Sequence, residues 1–273
     1  MTQPSPAAVG AVYDQFTDFF ADLLGGCIHF GYWDDADDGQ TVRAATDQLT
    51  GLVAGRLALR PGQHILDVGC GSGKPAMQIA TAHDVRVTGV TVSNRQIELA
   101  RAQPGGVEQL GQVCFQLADA MDLPFADGTF DGAYAIESLV HMHDKSAALA
   151  NIARVLRPGG RLVVADMFLD EPPSGGHDAQ ALASICRLFQ ISVILTVDEY
   201  RRLLHQAGLH VVDFADVRHN VLPTYGIVAE ALRQKALCLD GELGEQMRAG
   251  ASDIEHMGTM TELGYALIVA SRA

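Results

Sequence analysis

Asp67-Val-Gly-Cys-Gly-Ser-Gly73 decides the fold of this chain, because it joins an apolar run to a helical pattern. Ile65, Leu66 and Val68 have β-character, and Pro75-Ala-Met-Gln-Ile-Ala80 opens a helix. Three glycines at alternate positions let the backbone turn sharply and approach a ligand too closely for any Cβ. The first amides of the following helix are unpaired and carry positive partial charge, so a carboxylate or phosphate is the natural guest. Asp67, at the end of the strand, is placed to orient the loop or to meet an amine. The arrangement suits a nucleotide-like cofactor carrying both an amino and a carboxyl group. By itself the loop is weak evidence, since such turns occur in many α/β proteins. The dinucleotide fingerprint Gly-x-Gly-x-x-Gly wants its last glycine where this chain has Lys74, and no Gly-Lys-Ser/Thr follows for a P-loop.

Outward from the loop, residues 62–170 alternate strand and helix. Strands are expected at His64–Val68, Arg86–Thr91, Val113–Leu117, 132–136 and 161–167, and helices at 75–82, 93–102 and 145–156, the last stopped by Pro158-Gly-Gly160. Ser93 is a natural N-cap, with Gln96 as its capping-box partner. Repeated β-α units with apolar strands imply a doubly wound, mostly parallel sheet covered on both faces. Ahead of it, Val9, Val12, Tyr13, Phe16, Phe19, Phe20 and Leu23 recur at helical spacing and give an aromatic face. Beyond Asp170 a helical insert is expected at 178–195, then a helix from Thr196 to Ala207 stopped by Gly208, and further helices over 223–258. Val211–Phe214 and Tyr265–Ala270 read as two closing strands, making seven. The expected division is a helical head at 1–60, an α/β core at 61–171, a cap insertion at 172–195, core again at 196–218, cap helices at 219–260 and a closing strand at 261–273.

The 273 residues suffice to bury a core without disulfides or a metal. With 33 acidic residues against 19 Lys plus Arg, the net charge of −14 repels a phosphate backbone, so nucleic acid is a poor partner. Five dispersed cysteines with no Cys-x-x-Cys fit reduced thiols. No long uncharged apolar run and no signal-like start are present, so a cytoplasmic protein without a membrane partner is expected, and a homodimer is left open. His141-Met-His143 lacks the further ligands of a metal site, so none is expected.

Ligands of open α/β sheets sit beyond the carboxyl ends of the strands. There the chain places Asp67 and the glycines, then Thr91 and Ser93, then Asp119-Ala-Met121, then Glu137 to His143, and Asp166. Together with Phe130-Asp-Gly-Ala-Tyr134 and Val155-Leu-Arg-Pro-Gly-Gly160, these blocks resemble the class I S-adenosylmethionine-dependent methyltransferases over residues 60–170. The head, His29-Phe-Gly-Tyr-Trp33 and Gly89-Val-Thr-Val-Ser93 are similar to natural-product enzymes, notably the rebeccamycin-type sugar O-methyltransferases. The resemblance implies S-adenosylmethionine as cofactor, yielding S-adenosylhomocysteine. It implies Asp67, Gly69 and Gly71 along the methionine part, Asp119, Ala120 and Met121 around adenine, Ile136 and Glu137 near the sulfonium, and Tyr13 closing from the head. Where many members place an acid after the second strand, this chain has Thr91-Val-Ser93, so the ribose role passes to Thr91 and Gln96.

A sulfonium is an activated leaving group, so methyl transfer needs mainly alignment. A hydroxyl nucleophile gains from a nearby base, for which His141 is the candidate, since an unperturbed imidazole titrates at about 6.5. Asp166, on the neighbouring strand, is expected to orient it or hold the acceptor. The sugar enzymes carry His-His where this chain has Val140-His141. The expectation is O-methylation of a bulky, small-molecule secondary metabolite, glycosylated or not. C- or N-methylation stays open, with a nicotinamide oxidoreductase or a non-enzymatic binding module further off.

Overall fold

The computed structural model describes residues 3–35, 39–103 and 112–273, the side chains of 242 and 243 excepted. The strands β1 (His64–Val68), β2 (Arg86–Thr91), β3 (Val113–Leu117), β4 (Phe130–Ile136), β5 (Leu156–Leu169), β6 (Leu209–Asp216) and β7 (Leu263–Arg272) form one sheet of order β3-β2-β1-β4-β5-β7-β6. The first five run parallel, and β7 is antiparallel to both of its neighbours. The order reverses at β1, so the crevice between β1 and β4 opens at the carboxyl ends of both.

Alternation along the strands divides the core. Ile65, Val87, Tyr134, Val163 and Leu267 face one side, where they pack with helices of the head and cap. Leu66, Val68, Ala133, Val164 and Ile268 face the other, against α5 (Lys145–Val155) and α7 (Val197–Gln206). Every one of these residues is almost fully buried, which is why the strands read as continuous apolar runs.

Three differences from the sequence reading have local causes. Strand β5 begins at Leu156 rather than 161, so Pro158-Gly-Gly160 stops the helix yet lies inside the strand. Leu156 pairs with Phe130 and Arg161 with Gly132, and this break in register accommodates a proline that cannot donate to the ladder. The helix expected over 178–195 is α6 (Gly176–Leu188) and ends there. Gln190 takes a left-handed φ of 53°, after which Leu195 and Thr196 run alongside the end of β5. The helices over 223–258 are two, α8 (Arg218–Ala236) and α9 (Gly241–Met257).

The head is α1 (Pro6–Leu23) and α2 (Val42–Leu57), capped by the side chains of Ser5 and Thr41. α1 lies across the start of α4 (Asn94–Arg101). Asp14 Oδ1 accepts from the Ser93 hydroxyl at 2.6 Å and from the Arg95 amide at 3.0 Å, while Asp18 pairs with the Arg95 guanidinium at 3.0 Å. A Cβ on Gly10 would stand 2.7 Å from the Val92 carbonyl oxygen, so that glycine lets α1 lie directly on the loop after β2. Lys74, at the start of α3 (Lys74–His83), donates to the Gly25 carbonyl at 2.9 Å and pairs with Asp47 at 2.5 Å, tying the head to the glycine loop. Among the described residues no helix is long and apolar enough to cross a membrane.

Candidate active site

The glycine loop is built for close approach. Gly69, Gly71 and Gly73 all have positive φ, and a Cβ on Gly69 would come within 2.4 Å of the Ser138 side chain. Ser138 in turn donates to the Val68 carbonyl at 2.5 Å, so β1 and the turn after β4 are locked together across the crevice. Beside the loop opens a cleft. Asp67, Gly69 and Gly71 at the end of β1 and beyond it, Thr91 and Gln96 likewise at β2, and Asp119, Ala120 and Met121 after β3 line it. Ile136 and Glu137, at the end of β4 on the other side of β1, line it too, with Tyr13 and His141 also on its wall.

Asp67 is 2% exposed, and its Oδ2 has no hydrogen-bond partner among the described residues. Burial pushes its carboxyl up to about 7, against the opposing pull of the Tyr134 hydroxyl and His29. Thr91 donates to the Gln96 side-chain carbonyl at 2.5 Å and accepts from the Ser93 amide at 3.2 Å. Ser93 caps α4 as expected by accepting from the Gln96 amide, but the Gln96 side chain turns to Thr91 instead of closing the box. Asp119 Oδ1 accepts from the Met121 amide at 2.9 Å, which shapes a short 3₁₀ turn at Ala120–Asp122.

A second cavity lies between the head and the cap. Its walls are apolar, with Phe20, Phe189, Met167, Ile185, Ile254 and Met257 among them. Tyr13, Ile28, Glu137 and His141 border both spaces and form the junction between them. Glu137 holds a left-handed φ of 49°, and its Oε1 accepts from the Phe30 amide at 2.7 Å and the Tyr265 hydroxyl at 2.8 Å. Burial raises its pKa, against the opposing pull of His29.

The His141 ring is fixed at both nitrogens. Nδ1 lies 3.1 Å from the Gln190 carbonyl oxygen, and Nε2 lies 2.8 Å from the Tyr13 hydroxyl. A carbonyl only accepts, so the proton sits on Nδ1 and Nε2 offers its lone pair at the junction. Burial pushes the His141 pKa down to about 4, helped by the Lys145 charge and opposed by the Gln190 and Phe189 carbonyls. The imidazole is therefore neutral through the physiological range, rather than titrating at its ordinary value. Tyr13 stays protonated, because burial and the charges of Glu137 and Asp166 raise its pKa.

Asp166 departs from expectation. Its oxygens accept from the backbone amides of Val140 at 3.2 Å and Met167 at 2.9 Å, and it borders neither cavity. It reaches His141 through the backbone of the turn, not through the ring. His29 does line the cleft, whereas Trp33 is packed in the head with its amide bonded to the Asn220 carbonyl.

A methyltransferase domain model matches residues 66–164. The "O-methyltransferase resE" of Aspergillus sclerotiorum is 51% identical over 99% of this chain and 98% of its own length. The "27-O-demethylrifamycin SV methyltransferase" of Amycolatopsis mediterranei is 41% identical over 87% of each. Among solved structures, the "[4+2]-Cyclase SpnF" superposes with a TM-score of 0.84 at 30% identity, over 100% of this chain and 97% of its own. The chain belongs to the class I S-adenosylmethionine-dependent methyltransferases.

The cofactor of this methyltransferase is S-adenosylmethionine, and the cleft fits it. An unpartnered buried carboxylate oxygen on Asp67 suits an ammonium, and the glycine loop leaves room where any Cβ would intrude. Among the described residues no cluster of three His, Cys, Asp or Glu side chains could hold a metal ion in the methyltransferase. Two parts of its site were not singled out from sequence. One is the set of apolar residues that α6, α8, α9, β5 and the 189–191 segment add to the wall of the second cavity, opposite the aromatic face of α1. The other is the Gln190 carbonyl, whose local signal is a polar residue between Phe189 and Ile191.

Proposed function

We propose that the enzyme O-methylates a bulky, largely apolar secondary metabolite, with His141 accepting the proton of the acceptor hydroxyl. The observation that carries this reading is the His141 ring at the junction of the cofactor cleft and the apolar cavity, with Nδ1 against the Gln190 carbonyl oxygen and Nε2 facing the Tyr13 hydroxyl. The relatives named as O-methyltransferases support the choice of oxygen. The apolar walls favour an acceptor whose hydrophobic body fills the chamber, with the hydroxyl borne on that body or on a sugar attached to it.

In this reading Asp67 holds the ammonium of the cofactor's methionine part, while the backbone at Gly69 and Gly71 lies along it. Gln96, its carbonyl already engaged by Thr91, keeps its amide hydrogens for a ribose hydroxyl. Asp119, Ala120 and Met121 hold adenine, and the backbone at Ile136 and Glu137 lies beside the reacting end. When bound, the cofactor supplies a methyl group on a sulfonium, whose displacement calls for in-line alignment more than for chemical activation. Tyr13 donates to Nε2 until an acceptor hydroxyl takes its place; His141 then receives the acceptor's proton as the oxygen is methylated. Asp166 holds the turn that carries His141 and does not touch the acceptor. The division into a head at 1–60, a core at 61–171 and 196–218, cap segments at 172–195 and 219–260 and a closing strand at 261–273 fits these roles.

His141→Asn should lower turnover of a hydroxyl acceptor by roughly 10²–10⁴-fold while S-adenosylhomocysteine binds as before. Undiminished turnover of that acceptor would remove His141 as the base, whereas a labelled methyl found on carbon or nitrogen would favour C- or N-methylation, where positioning alone suffices. Family membership leaves no ground for the oxidoreductase reading.

A further inference from the structure

Lys145 is a charge where a leucine would be expected. It opens the buried stripe of α5, with Leu149 and Ile152 at helical spacing, and is itself 5% exposed. Burying an ammonium costs several kcal/mol, roughly, unless its donors are matched. Its Nζ donates to the Ser192 hydroxyl at 2.6 Å, the Met142 carbonyl at 3.0 Å and the Val140 carbonyl at 3.3 Å. All three donors are thus used, and two of the three acceptors flank His141 directly.

The third acceptor leads to the other side of the imidazole. Ser192 donates its hydroxyl to the Met142 carbonyl at 2.8 Å and its amide to the Val140 carbonyl at 2.8 Å. Two residues earlier, Gln190 presents the carbonyl that holds the proton on His141 Nδ1. Val140 is held from a further side, because its amide donates to Asp166. The turn carrying His141 and the segment carrying Gln190 are therefore joined at one buried ammonium.

We propose that Lys145 is the positioning residue for His141: by clamping the 140–142 turn to Ser192, it keeps the Gln190 carbonyl on Nδ1 and the lone pair on Nε2. Lys145 touches neither cavity and acts through His141. Free histidine favours the opposite tautomer, with its proton on Nε2, so the Nδ1–H form has to be imposed by its surroundings. The charged and titratable groups around Lys145 are Asp166 on β5, Cys186 on α6 and His141 itself. The proposal rests on His141 being the base for its catalytic meaning, but its structural content is read without any acceptor.

The test is ¹⁵N-histidine NMR of the full chain saturated with S-adenosylhomocysteine, with the His141 signals assigned by their absence in His141→Asn. The wild-type protein should show one neutral tautomer protonated at Nδ1 across pH 6–8. Lys145→Met should lose that single pattern for a mixture including the Nε2–H form, while still binding S-adenosylhomocysteine. Ser192→Ala removes only the bridging hydroxyl and serves if Lys145→Met does not fold; it should shift the pattern in the same direction. An unchanged Nδ1–H signature in whichever of the two variants folds would overturn the proposal. So would a wild-type signature of Nε2–H. Neither result depends on turnover, whereas failure of the base reading would show as a fully active His141→Asn enzyme.

Discussion

Asp67 shows how one buried residue links the cofactor to pH. Its folded pKa of about 7 lies above the 3.8 of an ordinary aspartate, so the free protein favours the protonated carboxyl. The stability this group contributes is full at low pH and is lost as pH rises through about 7. A bound ammonium reverses the preference, because it pairs with the carboxylate. S-adenosylhomocysteine should therefore bind more tightly as pH rises from 6 to 8, with affinity falling by up to about tenfold per pH unit below 7. Calorimetric titration at three pH values reads this directly, and a flat affinity would mean that the ammonium does not meet Asp67. By contrast, His141 is held near 4 and should contribute no titration to turnover between pH 6 and 9.

At the scale of elements, α1 is what closes the cleft. It brings Tyr13 to His141 across 128 positions of sequence and rests on the loop after β2 through Gly10. A leucine at Gly10 would drive a side chain into the Val92 carbonyl and lift the helix. Gly10→Leu should weaken S-adenosylhomocysteine binding by about tenfold or more, on the order of 1.4 kcal/mol, with the sheet intact by circular dichroism. Unchanged affinity would show that α1 is not part of the cofactor's enclosure. What was legible in sequence follows the same division. The glycine loop, the Ser93 cap and Asp119 could be read because strand-to-helix junctions have their own residue grammar, written within a few positions. The turn at Phe189–Gln190 could not, since the pattern of α6 runs on through apolar residues and the break is imposed by contacts with the His141 turn and β5. Asp166 was read at a strand end, whereas β5 runs on to Leu169 and Asp166 lies inside it opposite Ala266; register alone does not tell whether a carboxylate faces a ring or a backbone amide.

For the whole molecule, the sheet reversal at β1 creates one opening, and the head and cap divide the space above it into the cleft beside the glycine loop and an apolar chamber. The cofactor side is written in contiguous motifs, so family and fold were recoverable from residues 60–170. The apolar chamber is assembled from four helices, β5 and the segments around Ile28 and Ile191, far apart in sequence, which is why its shape waited for the structure. The deciding measurement is incubation with trideuteromethyl S-adenosylmethionine and a panel of apolar, hydroxyl-bearing metabolites, followed by NMR of the product. The account predicts the labelled methyl on an acceptor oxygen, with one S-adenosylhomocysteine released per product. Label on carbon or nitrogen, or an isomerised metabolite carrying no label, would contradict it.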